Sequence, residues 1–229
     1  MSANRYGSIL TIVLIVLIVA ILIGIGLLTY NYIINPHNRE NKNIAAIEEF
    51  DKNVEEEKKE EEKEENSNDG KLDVEATEHP EEQTTSSNEV KKKKYYEGFV
   101  MLGYITIPKT NVKQPILDTV TPESLNTAVA VLYPSNAQLN QPGNIVIIGH
   151  NYKNGQFFSN NKKLAVGDKL KISDASGVEL TYTIYEKFET TPEDTSFYNR
   201  NTNGAIEVTL STCTDDAKAR TIILARAEQ

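Results

Sequence analysis

Residues 205–226 read AIEVTLSTCTDDAKARTIILAR, and the reading of this stretch decides the rest of the chain. Ile206, Val208 and Leu210 alternate with Glu207, Thr209 and Ser211, the period-two pattern of a strand buried on one face. Cys213, the one cysteine of the chain, has the parity of Thr209 and Ser211. A regular strand therefore sends its thiol away from the apolar row, which suits a reactive group better than a core filler. TDDAK then forms a polar turn, and Arg220 opens a second strand through TIILA.

Upstream, residues 144–150 (NIVIIGH) form a short continuous apolar run, the signature of a strand buried on both faces. The run ends on Gly149 and His150. Between this strand and the Cys213 strand lie an Asn154–Gly155 turn, a short helix predicted over 157–164, a strand over 169–173, and a long alternating strand from Leu180 to about Thr190. A polar loop, 191–204, follows. Before it, FVMLGYITI (99–107) and residues 112–120 read as strands, residues 121–132 as a capped short helix or turn, and 133–143 as loop. Seven or eight short strands with no long amphipathic helix define a mostly β fold, a closed or nearly closed β-barrel. Its domain spans residues 95–229.

The remaining chain is of two unlike kinds. No charged residue occurs over 9–34, and about 20 residues of Ile, Leu, Val and Ala match the thickness of a bilayer for one helix. The apolar run is longer than that of a secretory signal and continues past Gly24 and Gly26, so residues 1–34 read as a tail and an uncleaved transmembrane anchor. Arg5 before the span and Arg39 and Lys42 after it leave its orientation undecided by charge. Residues 35–90 carry 19 acidic against 7 basic side chains. With few aromatics and an EEEKKEEEKEE run without an apolar stripe, 35–94 reads as a charged, disordered or loosely helical stalk that closes on Lys91–Lys94. From Phe99 onward 13 acids meet 12 bases, so the domain has no nucleic-acid footprint. A single cysteine excludes an internal disulfide and a multi-cysteine zinc site.

The folded part holds one cysteine, one histidine and three arginines: Arg200, Arg220 and Arg226. A thiol and an imidazole at strand ends are the material of nucleophilic catalysis, a thiolate attacking a carbonyl and an imidazolium protonating the leaving group. Taken singly, each has a plainer reading. Cys213 is then a buried core residue, His150 a hydrogen-bonded rim residue, and Arg220 the partner of Asp215 or Asp216 in a surface ion pair. Spacing alone leaves these alternatives open.

TLSTC (209–213), with Arg220 seven residues on at the start of TIILA, resembles the signature of the sortases, and the strand ending in Gly149 and His150 resembles the sortase histidine motif. The order His, Cys, Arg and an N-terminal anchor agree. The resemblance implies an eight-stranded sortase barrel outside a Gram-positive cell, with the N-terminus cytoplasmic and the span in the cell membrane. It implies transpeptidation: Cys213 is the nucleophile on a C-terminal sorting motif of a secreted protein, His150 the general acid and base, and Arg220 the stabiliser of the oxyanion or of the bound backbone. An amine of a cell-wall precursor or of a pilin resolves the thioacyl enzyme. Ser211 and Thr212 are placed beside the oxyanion or are simply polar strand-end residues. The 191–204 loop corresponds to one that helps select the substrate in sortases. Glu186, Glu189, Glu193 and Asp194 are the acids a calcium ion would use, as in some sortases, but without a D-x-D-x-D loop they read as a solvated face, and no cofactor or metal is expected. The competing readings are a cell-wall cysteine peptidase that only hydrolyses and a non-enzymatic anchored surface module.

Overall fold

The computed structural model describes residues 3–30, 34–67 and 93–228. Residues 1–44 and 45–229 form two compact units. In the first, α1 (Ala3–Thr29) contains one stretch, Ile9–Thr29, long and apolar enough to cross a membrane, and its described side chains are exposed. Such a helix has no use for an exposed apolar surface in water, and a single-pass anchor is compatible with it.

The second unit is a closed eight-stranded barrel. Its strands are β2 (Phe99–Ile107), β3 (Val112–Leu117), β4 (Val129–Tyr133), β5 (Gly143–Ile148), β6 (Lys169–Asp174), β7 (Glu179–Thr190), β8 (Ile206–Cys213) and β9 (Arg220–Ala227). The order round the sheet is β2-β3-β4-β5-β8-β9-β7-β6, and β6 pairs back onto β2 to close it. A short β1 (Lys94–Tyr96) pairs with Phe99–Met101, on the part of β2 that β6 leaves free. Closure depends on Gly103. A Cβ there would stand 2.0 Å from the Ser173 carbonyl oxygen, so only glycine lets β2 approach β6 this closely.

Alternation along the strands sends one set of apolar side chains inward. Ile105, Ile107, Ile116, Val129, Val131, Ile145, Ile147, Leu170, Ile172, Ile184, Val208, Leu210, Ile223 and Ala225 fill the barrel, with Phe157 and Phe158 buried beside them. Each Val, Leu, Ile or Phe among them contributes about 1.5–3 kcal/mol of transfer free energy. The predicted helix over 121–132 is shorter than expected. α3 covers only Pro122–Thr127, started by a capping box between Thr121 and Ser124, and the β-branched run that follows is β4. Val129 and Val131 gain more by filling the barrel than by extending a helix over its surface. Of the helix predicted over 157–164, only Asn161–Lys163 forms a 3-10 turn.

The stalk expected over 35–94 differs over its described part. α2 (Asn35–Ser67) is a continuous helix, and within the second unit Ile47, Phe50 and Val54 are buried against Tyr96, Met101, Leu117 and Ala130. These three lie at i, i+3 and i+7, one stripe of a helix otherwise covered in charge. The EEEKKEEEKEE run itself has no such stripe; the docking residues precede it. Lys58 donates to the Gly177 carbonyl at 3.2 Å, and Lys94, expected as the stalk's end, pairs with Glu57 at 2.7 Å. Residues 68–92 of the expected stalk, including Lys91 and Lys92, lie outside the described residues.

Candidate active site

β5 and β8 run parallel at the centre of the sheet, in register from Gly143 opposite Ile206 to Ile148 opposite Ser211. Two residues beyond this last pair stand His150 and Cys213, so the parallel register delivers the imidazole and the thiol to the same end of neighbouring strands. Three hydrogen bonds pin that end. Gly149 N–H donates to the Ser211 carbonyl at 3.2 Å, Thr212 Oγ1 donates to the Gly149 carbonyl at 2.7 Å, and Asn151 Nδ2 donates to the Cys213 carbonyl at 2.9 Å. Gly149 must be small: a Cβ would come within 2.8 Å of both Phe158 and Val129.

Antiparallel pairing supplies the third group. Cys213 lies directly opposite Arg220 on β9, and Arg220 Nη1 donates to Cys213 Sγ at 2.7 Å. A guanidinium is a permanent donor, so the sulfur accepts. The surface ion pair expected as the plainer reading of Arg220 does not form. Asp215 instead takes Lys162 at 2.6 Å and Asn151 at 3.0 Å, and Asp216 takes Thr214 and the Lys218 N–H. Cys213 itself is partly exposed. It is the one free cysteine, and it is not a core residue.

His150 is held by rings. Tyr152 stacks on it with centroids 4.7 Å apart and planes 22° from parallel, and Phe157 meets it edge-on at 6.2 Å. Burial lowers the imidazole pKa from its ordinary value, because the charged form loses hydration there.

The parity argument for β8 holds for direction and fails for environment. Val208 and Leu210 point into the barrel, and Glu207, Thr209, Ser211 and Cys213 occupy the other face. That outer face is nevertheless buried, with Thr209 at 0% and Ser211 and Glu207 at 2% exposure. The 191–204 loop covers it. Phe197 packs with Val146, Ile222 and Leu224, and Asn144 Nδ2 donates to the Phe197 and Tyr198 carbonyls at 3.0 and 2.9 Å. Below, the Glu207 carboxylate receives Arg200 and Arg226, each at 2.7 Å, and Tyr185 Oη at 2.8 Å. Burial pushes the Glu207 carboxyl up, but the bonds from Arg226, Tyr185 and Arg200 outweigh it and hold it below the usual carboxylate range.

Of the weaker expectations, Thr212 does not join the thiol's face: its hydroxyl is spent on Gly149, tying β8 to the histidine strand. Ser211 shares the face of Cys213 and is buried. Asp194 accepts from Thr190 and from the Ser196 N–H, bonds that hold its pKa below the ordinary value. Sequence reasoning missed Asn151, Tyr152, Asn144 and the Glu207 cluster. Glu207 alone left a signal, a charge in an otherwise uncharged strand with Arg226 available on the next one.

The chain belongs to the sortase family: the family's sortase domain matches residues 105–228, more than half its length. Among solved structures it is similar to a Clostridium perfringens sortase D5 transpeptidase, at 26% identity and a TM-score of 0.57, covering 82% of this chain and 99% of that one. It is also similar to sortase C-1 from Actinomyces oris, at 25% identity and a TM-score of 0.50, over 56% of this chain and 73% of that one. A third likeness is to sortase C1 of GBS pilus island 1, at 24% identity and a TM-score of 0.51, and speaks for the fold. There the match covers 56% of this chain and 64% of that one, less than two thirds of the relative's length. No curated protein sequence matches the chain.

Proposed function

We propose that this sortase is a membrane-anchored cysteine transpeptidase that joins secreted proteins, through a C-terminal sorting motif, to an amine of the cell wall or of a pilin. The observation that carries the reading is the convergence of Cys213, Arg220 and His150 on one end of three adjacent strands, with Arg220 Nη1 2.7 Å from the thiol sulfur.

The steps balance with these side chains. Cys213 loses its proton to His150, and the thiolate adds to the scissile carbonyl carbon. Negative charge gathers on the carbonyl oxygen, where the several donors of Arg220 stabilise it. The C–N bond breaks as the imidazolium returns its proton to the departing amine. The thioester retains much of the energy of the lost amide, so the acceptor amine, deprotonated by His150, attacks it and expels the thiolate without ATP. No step calls for a cofactor.

The 191–204 loop, held over β5 and β8 by Asn144 and by Arg200 on Glu207, supports a role in fixing the motif at the partly exposed end of β8 where Cys213 stands. In this reading the N-terminus lies in the cytoplasm of a Gram-positive cell and the barrel outside, where the site meets proteins as they leave the membrane; the apolar Ile9–Thr29 helix supports the anchor.

The deciding experiment incubates the full chain with a library of sorting-motif peptides and a panel of amines, and follows both cleavage and adduct by mass spectrometry. A Cys213 thioacyl adduct that passes to an amine is expected. Cleavage without an amine adduct under every acceptor condition would make the protein a peptidase, and a Cys213 inert to alkylation would leave a non-enzymatic module.

A further inference from the structure

We infer that Tyr152 is the positioning residue of the histidine, filling with an aromatic stack the place that an orienting carboxylate takes beside a catalytic imidazole. The inference rests on the reading of His150 as the acid and base.

A histidine that accepts and returns protons needs a fixed ring plane, and a carboxylate or amide bonded to one nitrogen usually supplies it. Among the described residues none does so here. The two neighbours suited to the task are engaged elsewhere: Asn151 Nδ2 donates to the Cys213 carbonyl and to Asp215, and Asp215 also pairs with Lys162. What the imidazole does have is Tyr152, stacked at 4.7 Å and 22°. A stacked ring fixes the plane of its neighbour and leaves both nitrogens, which lie in that plane, free for proton transfer.

Tyr152 is itself anchored at three points, which a merely adjacent ring would not need. Its phenol donates to Asn126 Oδ1 on α3 at 2.6 Å, its N–H donates to Ser159 Oγ at 3.0 Å, and Phe157 packs edge-on at 5.5 Å. α3 is in turn fixed by the Thr121 capping box and by Ser124, whose hydroxyl donates to the Thr119 carbonyl at 2.7 Å. A chain of contacts thus runs from α3 through the phenol to the imidazole. Tyr152 is exposed at 43%, too open for a core residue, so packing alone does not account for these anchors.

Tyr152→Ala, Tyr152→Phe and Asn126→Ala in the full chain test this. Tyr152→Ala lowers kcat for transfer by about tenfold to a hundredfold with KM little changed, as expected when a reacting group is misaligned. Tyr152→Phe keeps the stack and recovers most of that loss, and Asn126→Ala shows the same small loss as Tyr152→Phe, the double variant being no worse than either. A rise in KM with kcat unchanged would make Tyr152 a substrate contact and overturn the inference. So would an unchanged kcat in Tyr152→Ala, with the reading of His150 standing if His150→Ala is dead. A second measurement needs no activity. The His150 ring protons, observed by NMR, are expected to carry a stacking ring-current shift that survives in Tyr152→Phe and is lost in Tyr152→Ala, leaving only the contribution of Phe157; identical His150 signals in the wild type and both variants would sink the inference even if the wild-type chain transferred nothing.

Discussion

Arg220 and Cys213 face each other across the β8–β9 pair, with the guanidinium Nη1 2.7 Å from the thiol sulfur. The contact commits a permanent charge to the nucleophile's side, where negative charge moves from sulfur to carbonyl oxygen during attack. Arg220→Ala should reduce acylation by about a hundredfold to a thousandfold, the usual loss on removing one oxyanion donor. Arg220→Lys should recover only part of it, because an ammonium cannot present the planar fork. Rates of thioacyl formation by quenched mass spectrometry check both, and wild-type rates in Arg220→Ala would remove Arg220 from the mechanism.

Cys213→Ala should form no thioacyl species, and His150→Ala should lose at least about a hundredfold in transfer, the lower end of what a positioned acid and base contributes. Neither side chain belongs to the barrel interior. Thermal unfolding midpoints should therefore stay within a few degrees of wild type. Near-full activity in His150→Ala would refute its assignment as the acid.

His150 should titrate below its ordinary pKa, because burial disfavours the imidazolium. The unfolded chain then binds the proton more readily than the folded one, so this group's contribution to stability is complete above the unfolded pKa of about 6.5 and falls as pH drops from there towards the folded pKa. NMR titration, with His150 assigned from the spectrum of His150→Gln, measures the midpoint. A value above 6.5 would show that a charge partner, and not burial, governs the ring.

Glu207 anchors the cluster under the 191–204 loop through Arg200, Arg226 and Tyr185. Glu207→Ala leaves Arg200 and Tyr185 without their shared acceptor, while the more exposed Arg226 is compensated by water, so the cost falls on the side of the cluster under the loop. The loop should loosen, so KM for the motif peptide should rise more than kcat falls. Since its folded pKa is held down, the stability that Glu207 contributes is present above its unfolded pKa and is lost as pH falls through the folded value. Denaturant unfolding of wild type and Glu207→Gln between pH 7 and pH 3 should converge at the acid end; parallel curves would contradict the linkage.

Phe50 is 2% exposed in the stripe that docks α2 on the barrel, with Tyr104 meeting it edge-on at 6.2 Å. Phe50→Ala should cost about 3–5 kcal/mol of that docking. Faster amide exchange along residues 45–58, with the barrel strands unchanged, is the expected signature. Unchanged exchange there would mean that the helix is held by its polar contacts alone.

The sequence carried the local facts. Alternation along 206–210 placed a strand, the continuous run at 144–150 placed one covered on both faces, and a charge-free stretch of some 20 residues placed the apolar helix, because backbone periodicity and side-chain polarity act residue by residue. The motif around Cys213 and Arg220 pointed to the family for the same reason. Elsewhere local averages misled. The acid excess over 35–90 hid Ile47, Phe50 and Val54, three apolar side chains whose helical spacing matters only once there is a barrel surface to receive them. Residues 129–133 suited a helix by position and became β4 because a parallel neighbour, β3, and an antiparallel one, β5, were there to pair with.

What only the tertiary structure decided is which groups meet. The antiparallel β8–β9 register set Cys213 against Arg220, the parallel β5–β8 register brought Cys213 and His150 to the same end of neighbouring strands, and Asn144 held the 191–204 loop over a face that parity alone assigns to solvent. Tyr152 came to lie on His150 through a turn anchored on α3, more than 20 residues away in the chain. Such contacts join residues distant in sequence, and their energies exist only when the barrel has closed and fixed every register at once. For this reason the sequence by itself determined the chemistry available to the protein, while barrel closure decided its geometry.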